Sequence, residues 1–262
     1  MNDWYNVFMK KIKILGIIPA RLHSTRLPKK MLADIAGKPL IYYTWRQAKR
    51  AKMLDEVIVA TDSPEIASAV QFFGGTAMMT SDKHKTGSDR VAEAARRFKK
   101  FKPEIVVNLQ GDEPLVPPQA INQLVREMKK DKKAVMGTVA IPCNDKEKLK
   151  DPDVVKTIID KNGNAIYFSR SIIPYPRHPY GEYYSKLGLY AFRYRFLQTY
   201  VRLVQRPLER AESLEQLRAL EHGYKVKAVA GNYIREEVNN LRQLKRVRII
   251  IDKQRRGGQS RK

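Results

Sequence analysis

An apolar run from Ile12 to Ile18 empties directly into a loop carrying Arg21, Ser24, Thr25, Arg26, Lys29 and Lys30. No other junction in the chain constrains the fold as much. A buried strand ending in a polar, cationic loop belongs to an open α/β sheet, whose ligands bind outside the carboxyl ends of the strands. Main-chain N–H groups, two hydroxyls and several fixed cations converging there suit a polyphosphate. Two common phosphate cradles are excluded, because the loop contains neither Gly-x-x-x-x-Gly-Lys-Ser/Thr nor Gly-x-Gly-x-x-Gly.

Beyond this loop, short apolar runs alternate with amphipathic stretches, which predicts a mostly parallel sheet covered by helices. Strands are expected at Lys13–Ile18, Glu56–Ala60, Gly75–Met79, Ile105–Leu109, Ala134–Ile141, Val155–Ile159, Leu187–Phe192 and Lys225–Ala230. Helices are expected at Leu40–Lys49, Pro64–Phe73, Ser88–Phe101, Pro118–Lys130, Arg193–Leu203 and Glu209–His222. In the last of these, spacings of three would set Glu209, Glu212 and Glu215 on one side. Between Pro142 and Tyr184 the chain becomes rich in Pro, Tyr and charge. There Asp160–Asn164 reads as a hairpin turn and Tyr175–Tyr184 as an irregular loop. Such an excursion suits a dimer contact or a substrate lid.

Composition narrows the class. With 262 residues, 43% of them hydrophobic, the chain can bury a substantial core. Cys143 is the only cysteine, so no intrachain disulfide forms and a reducing, cytoplasmic setting is expected. Nothing reads as a signal peptide, and no apolar run approaches the ~20 residues of a transmembrane segment. The net charge of +24 invites a nucleic-acid role. Its distribution argues against a specific one, since the excess falls on helix faces such as Arg96–Lys100 and on the stretch after Asn240. The last eight residues, Arg255–Lys262, read as disordered.

Three further segments carry candidate chemistry. The run Val106–Leu109 reads as a buried strand that ends in Gln110-Gly-Asp112-Glu-Pro114. If it lies parallel to the first strand, Asp112 emerges at the same sheet edge as the basic loop, where a carboxylate beside phosphate suits Mg²⁺. His84-Lys-Thr86-Gly-Ser88-Asp-Arg90 offers a capped helix start able to attract an anion or a polar base edge. Arg170, just after Tyr167-Phe-Ser169, is a possible fork for a carboxylate.

Taken together, these motifs resemble the 3-deoxy-manno-octulosonate (Kdo) cytidylyltransferases, and the likeness runs from Ile14 to about Ala230. It is carried in order by Pro19-Ala-Arg-x-x-Ser24-Thr-Arg-Leu-Pro28, Gly37-Lys-Pro-Leu40, Val59-Ala-Thr-Asp62, His84-x-x-Gly87-Ser-Asp-Arg90, Gln110-Gly-Asp-Glu-Pro114, Tyr167-Phe-Ser-Arg170, Leu187-Gly-Leu-Tyr190 and Leu214-Glu-Gln-Leu-Arg218. The resemblance implies a Rossmann-like nucleotidyltransferase fold, transfer of CMP from CTP to Kdo, Mg²⁺ as cofactor, and a homodimer serving lipopolysaccharide assembly. By the same resemblance Arg21 and Lys30 would hold the triphosphate with Ser24 and Arg26, and Ser88 and Arg90 would lie near the cytosine. Asp112 would bind the metal, while Gln110, Arg170, Lys186, Tyr190, Glu215 and Gln216 would line the sugar site, with Arg170 opposing the carboxylate. One cytidylyltransferase domain is expected over residues 12–240, with a dimerisation or lid excursion at 142–186, an N-terminal extension at 1–11 and a basic helix and tail at 241–262.

Three departures from the family pattern matter. Its Pro-Gly-Lys-Pro becomes Pro28-Lys29-Lys30-Met31. Its histidine near the sugar becomes Lys186, a donor that never accepts at neutral pH. A second metal-binding aspartate falls on Asn239, whose amide oxygen is the weaker ligand. Either Glu236 or Glu237 then substitutes for it, or turnover suffers.

Overall fold

A computed structural model describes residues 12–24, 26–178 and 182–259. The N-terminal extension, Thr25, the centre of the Tyr175–Tyr184 loop and residues 260–262 lie outside these described residues. In chain order the elements begin with β1 (Ile14–Ala20), β2 (Asp34–Ile35), β3 (Lys38–Pro39), α1 (Leu40–Lys49), β4 (Glu56–Thr61), α2 (Pro64–Phe72), β5 (Thr76–Met79) and α3 (Gly87–Arg97). They continue with β6 (Ile105–Leu109), α4 (Pro118–Lys130), β7 (Met136–Pro142), α5 (Lys146–Lys150), β8 (Lys156–Ile159), β9 (Ala165–Ser169) and β10 (Tyr184–Arg193). The rest are α6 (Tyr194–Tyr200), α7 (Pro207–Glu212), α8 (Leu217–Glu221), β11 (Val226–Ala230) and α9 (Leu241–Gln259).

The main sheet runs β11-β7-β10-β6-β1-β4-β5, with β8 and β9 attached beside β10. Along this row β10 is the strand that runs antiparallel, to both β6 and β7. The others pair in parallel, so their carboxyl ends share one edge. Alternation along β1 feeds two cores. Ile14 and Ile18 pack on one face with residues of α1, α4 and α9, and Leu15 and Ile17 pack on the other with α3 and α6. Burying each such side chain stabilises by about 1.5–3 kcal/mol. A continuous apolar run is therefore what a doubly covered strand requires.

The periodic reading fails in identifiable places. The single helix expected over Glu209–His222 is two, α7 and α8, separated at Ser213, whose φ is +50°. The three glutamates therefore do not share a face: Glu209 pairs with Arg218, Glu212 accepts from Ser169, and Glu215 accepts from Ser88. Both halves keep a helical period, so the pattern cannot reveal the break. Strand β9 was not anticipated, nor was the β2–β3 hairpin, whose turn has positive φ at Ala36 and Gly37. Helix α3 ends at Arg97, short of the expected Phe101, because Phe98 turns to extended backbone. Disorder was expected from Arg255, but helix α9 continues to Gln259. The hairpin turn at Asp160–Asn164 forms between β8 and β9, its backbone N–H groups capped by the Asp160 carboxylate.

Candidate active site

Strands β1 and β6 are parallel neighbours, with Ile17 opposite Asn108, so the loops that follow them leave the sheet side by side. The β1 loop closes in a short 3₁₀ turn, Lys30–Leu32, preceded by Lys29 at φ +50°. This turn carries Lys30 inward until it is 8% exposed, and its ammonium lies 2.6 Å from Asp112 Oδ2. The β6 loop is held from two further elements: Thr44 of α1 donates its hydroxyl to Gly111 O at 2.8 Å, and the Val238 N–H, from the loop before α9, donates to Asp112 O at 2.9 Å. A Cβ on Gly111 would come within 2.9 Å of Met31 Sδ and 3.1 Å of Pro19 O, so any larger residue here would have to displace Met31 and crowd the end of β1.

Under these loops lies a cavity of about 190 Å³. Arg21, Ser24, Lys30, Arg90, Gln110 and Asp112 line it. Helix α3 points its N-terminus at the cavity through Thr86 and Gly87. Thr86 and Asp89 form a capping box that satisfies the first turn. Arg90 is buried and held by Asp62 and by the Thr80 hydroxyl. His84 is engaged by Glu93, as a local hydrogen-bonding residue would be. Burial pushes the Glu93 carboxyl up, but hydrogen bonds from Ser81 N–H, His84 and Arg97 outweigh it and bring the value to about 2.

A second cavity of about 310 Å³ adjoins the first and shares Gly87 and Gln110 with it. It holds Arg170, Lys186, Tyr190, Glu215 and Gln216, all anticipated, together with Asn239. Here the hydrogen bonds run in one direction. Lys186 Nζ donates to Tyr190 Oη at 2.9 Å, and that hydroxyl donates to Gln216 Oε1 at 3.1 Å. Burial raises the Tyr190 hydroxyl above its usual range, which keeps it protonated and donating. The Gln216 amide nitrogen is left buried with no hydrogen-bond partner among the described residues. Glu215 is also pushed up by burial, against the hydrogen bond it accepts from Ser88 at 2.8 Å.

Several residues differ from their expected surroundings. Ser88 spends its hydroxyl on Glu215 and so ties α3 to the second cavity. Arg26, expected among the triphosphate partners, lines the second cavity and pairs with Asp153 at 3.3 Å. Arg170 also lines that cavity, but its Nε donates to Glu212 O at 2.7 Å and its Nη1 to Pro152 O at 2.8 Å. Most of this guanidinium braces the chain.

Two residues to which no motif assigns a role, Glu113 and Arg235, also belong to the site. Glu113 is 1% exposed and accepts the Gly188 N–H at 2.9 Å. A Cβ at Gly188 would meet its carboxylate at 2.5 Å. Burial first, then Glu237 and Asp112 nearby, push Glu113 to about 7, against the lowering pull of Arg235. Arg235 lines the second cavity with its Nε unpartnered among the described residues and its Nη2 2.7 Å from Glu237. The signal available was the charged run Arg235-Glu236-Glu237 beside Asn239. A larger cavity, about 460 Å³ near β8 and β11, is lined by Gln123, Lys161 and Lys227 and lies apart from these residues.

A cationic loop and an acid meeting at the carboxyl ends of parallel strands, beside a second polar cavity, define an α/β nucleotidyltransferase. Relatives 46% and 43% identical over 90% and 91% of its length show that the chain belongs to the 3-deoxy-manno-octulosonate cytidylyltransferase family. The family model described as cytidylyltransferase matches residues 15–229. A 3-deoxy-manno-octulosonate cytidylyltransferase of Chlorobium limicola is 46% identical over 239 residues, 90% of this chain and 96% of the relative. Its counterpart from Polynucleobacter necessarius is 43% identical over 250 residues, 91% of this chain and 98% of the relative. Among solved structures, CMP:2-keto-3-deoxy-manno-octonic acid synthetase complexed with CTP superimposes with a TM-score of 0.87 at 37% identity, covering 92% of this chain and 99% of that one. The 4-diphosphocytidyl-2C-methyl-D-erythritol synthase of Anaerococcus prevotii shares the fold, with a TM-score of 0.63 at 16% identity.

Proposed function

We propose that this enzyme transfers CMP from CTP to Kdo, giving CMP-Kdo and diphosphate for lipopolysaccharide assembly. The anomeric hydroxyl attacks the α-phosphorus of CTP; a new P–O bond forms, the bond to the β-phosphate oxygen breaks, and the hydroxyl proton is released. One observation carries this reading. Two cavities share Gly87 and Gln110, and Lys30 of the first links them by donating to Asp112 of the first and to Asn239 of the second. A triphosphate in the first and an acid sugar in the second would bring the reacting atoms together there. Lys30 and Arg21 would neutralise the phosphates, and Lys186 with Gln216 would donate to the acid sugar.

Mg²⁺ fits this donor set. The Lys30 ammonium, 2.6 Å from a carboxylate oxygen and 3.3 Å from an amide oxygen, marks a position where a cation is held by hard oxygen donors. Among the described residues no three His, Cys, Asp or Glu side chains converge as a metal cage. Magnesium commonly takes one or two carboxylates and leaves its other positions to phosphate and water. Asp112 and Asn239 would hold the ion, which when bound supplies charge neutralisation at the α-phosphate.

A cytoplasmic homodimer completes the proposal. The 142–186 excursion supports it by exposing Ile166 at 58% and Tyr175 at 83%. Among the described residues no helix is long and apolar enough to cross a membrane. Lys186 in the histidine slot favours one alternative, a Kdo relative with an altered substituent near that ammonium. The deciding assay measures diphosphate release from CTP and Mg²⁺ with Kdo, 8-amino-Kdo and a nonulosonic acid in turn. Release with Kdo at the highest kcat/KM supports the proposal, release with another sugar selects that substrate, and no release with any of them ends it. Light scattering of the purified chain reports the dimer.

A further inference from the structure

Glu237 holds two neighbours on opposite sides. One carboxylate oxygen accepts from the Asn239 side-chain nitrogen at 2.6 Å, and the other accepts from Arg235 Nη2 at 2.7 Å. Asn239 is 6% exposed, and its backbone N–H is fixed by Gln243 Oε1 at 2.6 Å. A side-chain amide has one donating end and one accepting end. With its nitrogen claimed by Glu237, the Asn239 oxygen must face the opposite way, where it lies 3.3 Å from Lys30 Nζ. The result is one continuous line, Arg235–Glu237–Asn239–Lys30–Asp112.

We propose that Glu237 is a positioning residue that locks the Asn239 amide with its oxygen turned toward the cation position at Asp112. Glu237 does not itself replace the missing carboxylate, since its oxygens are committed to Arg235 and Asn239. Glu236 is committed too, to Arg246 at 2.7 Å. Glu237 instead makes an amide serviceable where a carboxylate would need no such partner. Partners of this kind orient metal ligands and typically govern affinity by about 10–100-fold. The inference rests on the proposal that a divalent cation joins the nucleotide at Asp112.

A consequence separates this arrangement from a merely damaged site. Asn239→Asp alone would set two carboxylates where a 2.6 Å hydrogen bond now stands, and like charges at that distance repel. The added carboxylate should help only when Glu237 is removed. The experiment titrates Mn²⁺ into the full chain with CTP, following free Mn²⁺ by electron paramagnetic resonance, with CTP binding in EDTA as the metal-free control. Glu237→Ala is expected to weaken Mn²⁺ binding about tenfold, and Glu237→Gln, which keeps an accepting oxygen, to recover most of that loss. Asn239→Asp should gain nothing, whereas the double variant Asn239→Asp with Glu237→Ala should bind about tenfold more tightly than Asn239→Asp. Thermal unfolding confirms that each variant is folded. Additive effects, with Asn239→Asp tightening binding equally in both backgrounds, overturn the inference alone. A wild-type chain that binds CTP identically in Mn²⁺ and in EDTA overturns the metal proposal and this inference with it.

Discussion

The first cavity is assembled from three short contiguous segments, around Pro19–Met31, His84–Arg90 and Gln110–Asp112, all at the ends of strands or the start of a helix. The second draws on residues scattered from Arg26 to Asn239, brought together by the antiparallel strand β10, the break between α7 and α8, and the loop before α9. In the first, backbone geometry delivers the charged groups to one place, where short pairs such as Lys30–Asp112 and Arg90–Asp62 then hold them. In the second, side chains fix one another, as in the relay from Lys186 through Tyr190 to Gln216. A site of the first kind should fail through loss of charge on a rigid frame. A site of the second kind should fail through loss of direction, with selectivity suffering before rate.

The strongest way to break this comparison is to remove charge from the rigid half. Asp112→Asn leaves the Gly111 and Val238 main-chain contacts intact while deleting the carboxylate that Lys30 meets at 2.6 Å. It should lower kcat/KM for both substrates on the order of 10²–10³-fold, the usual cost of losing one group that stabilises charge in the transition state. Steady-state kinetics at saturating Mg²⁺ decide it. A loss confined to the sugar KM would mean that Asp112 belongs to the other half.

In the second half the matching change is Lys186→Met, which keeps the length of the side chain and removes the donor to Tyr190. Without it the Tyr190 hydroxyl can reverse and the Gln216 amide loses its fixed direction. The expected result is a rise of about tenfold in KM for the sugar, equivalent to one charge-assisted hydrogen bond, with KM for CTP unchanged. Equal effects on both substrates would erase the distinction between the halves.

The same contrast explains what could be read from the letters. Strand β6, Ile105–Leu109, and helices α1 and α4 fall where periodicity sets them, because apolar spacing and flanking turns are local signals. The meeting of Lys30 with Asp112 was legible for the same reason: parallel strands bring their following loops to one edge. The break at Ser213 was not, since residues on both sides keep helical spacing and nothing local marks the residue that takes a φ of +50°. Nor could sequence show that Arg170 is spent on the carbonyls of Glu212 and Pro152, or that Ser88 points at Glu215. Such partners are chosen by contacts 18 to 127 residues apart along the chain. Motif reasoning names the residues that enter a site but not how each one's hydrogen-bonding capacity is divided there.

Where the two halves touch, Glu113 offers a smaller effect that sharpens the boundary. Its folded value of about 7 stands above the ordinary carboxyl value of 4.5. A raised acid contributes stability that is fully present below the unfolded value and is lost as pH rises through the folded one. Thermal stability should therefore decline between about pH 5 and pH 8, and Glu113→Gln should flatten that decline. The amide keeps a neutral acceptor for the Gly188 N–H, so the comparison isolates the charge. An unchanged pH slope would show that Arg235 compensates the buried carboxylate fully, with no net cost to its ionisation.

The smallest expected effect lies in the rigid half and tests whether that frame carries strain. Lys29 sits at φ +50° and ψ 33°, where side chains cost about 1–2 kcal/mol and glycine does not. Its ammonium lies 3.0 Å from Glu65, but both side chains are largely in water, and such pairs contribute about 0–1 kcal/mol. Lys29→Gly relieves the backbone and loses the pair, while also giving the unfolded chain more freedom, worth about 0.4–1 kcal/mol. The balance favours glycine by about 0.3 kcal/mol, readable as a small rise in the unfolding midpoint. Lys29→Met separates the contributions, since it keeps the strained backbone and removes only the pair, and should destabilise slightly. If Lys29→Gly instead destabilises by more than Lys29→Met does, the left-handed turn carries little strain, and the loop that aims Lys30 at Asp112 is held by side-chain pairing rather than by backbone geometry.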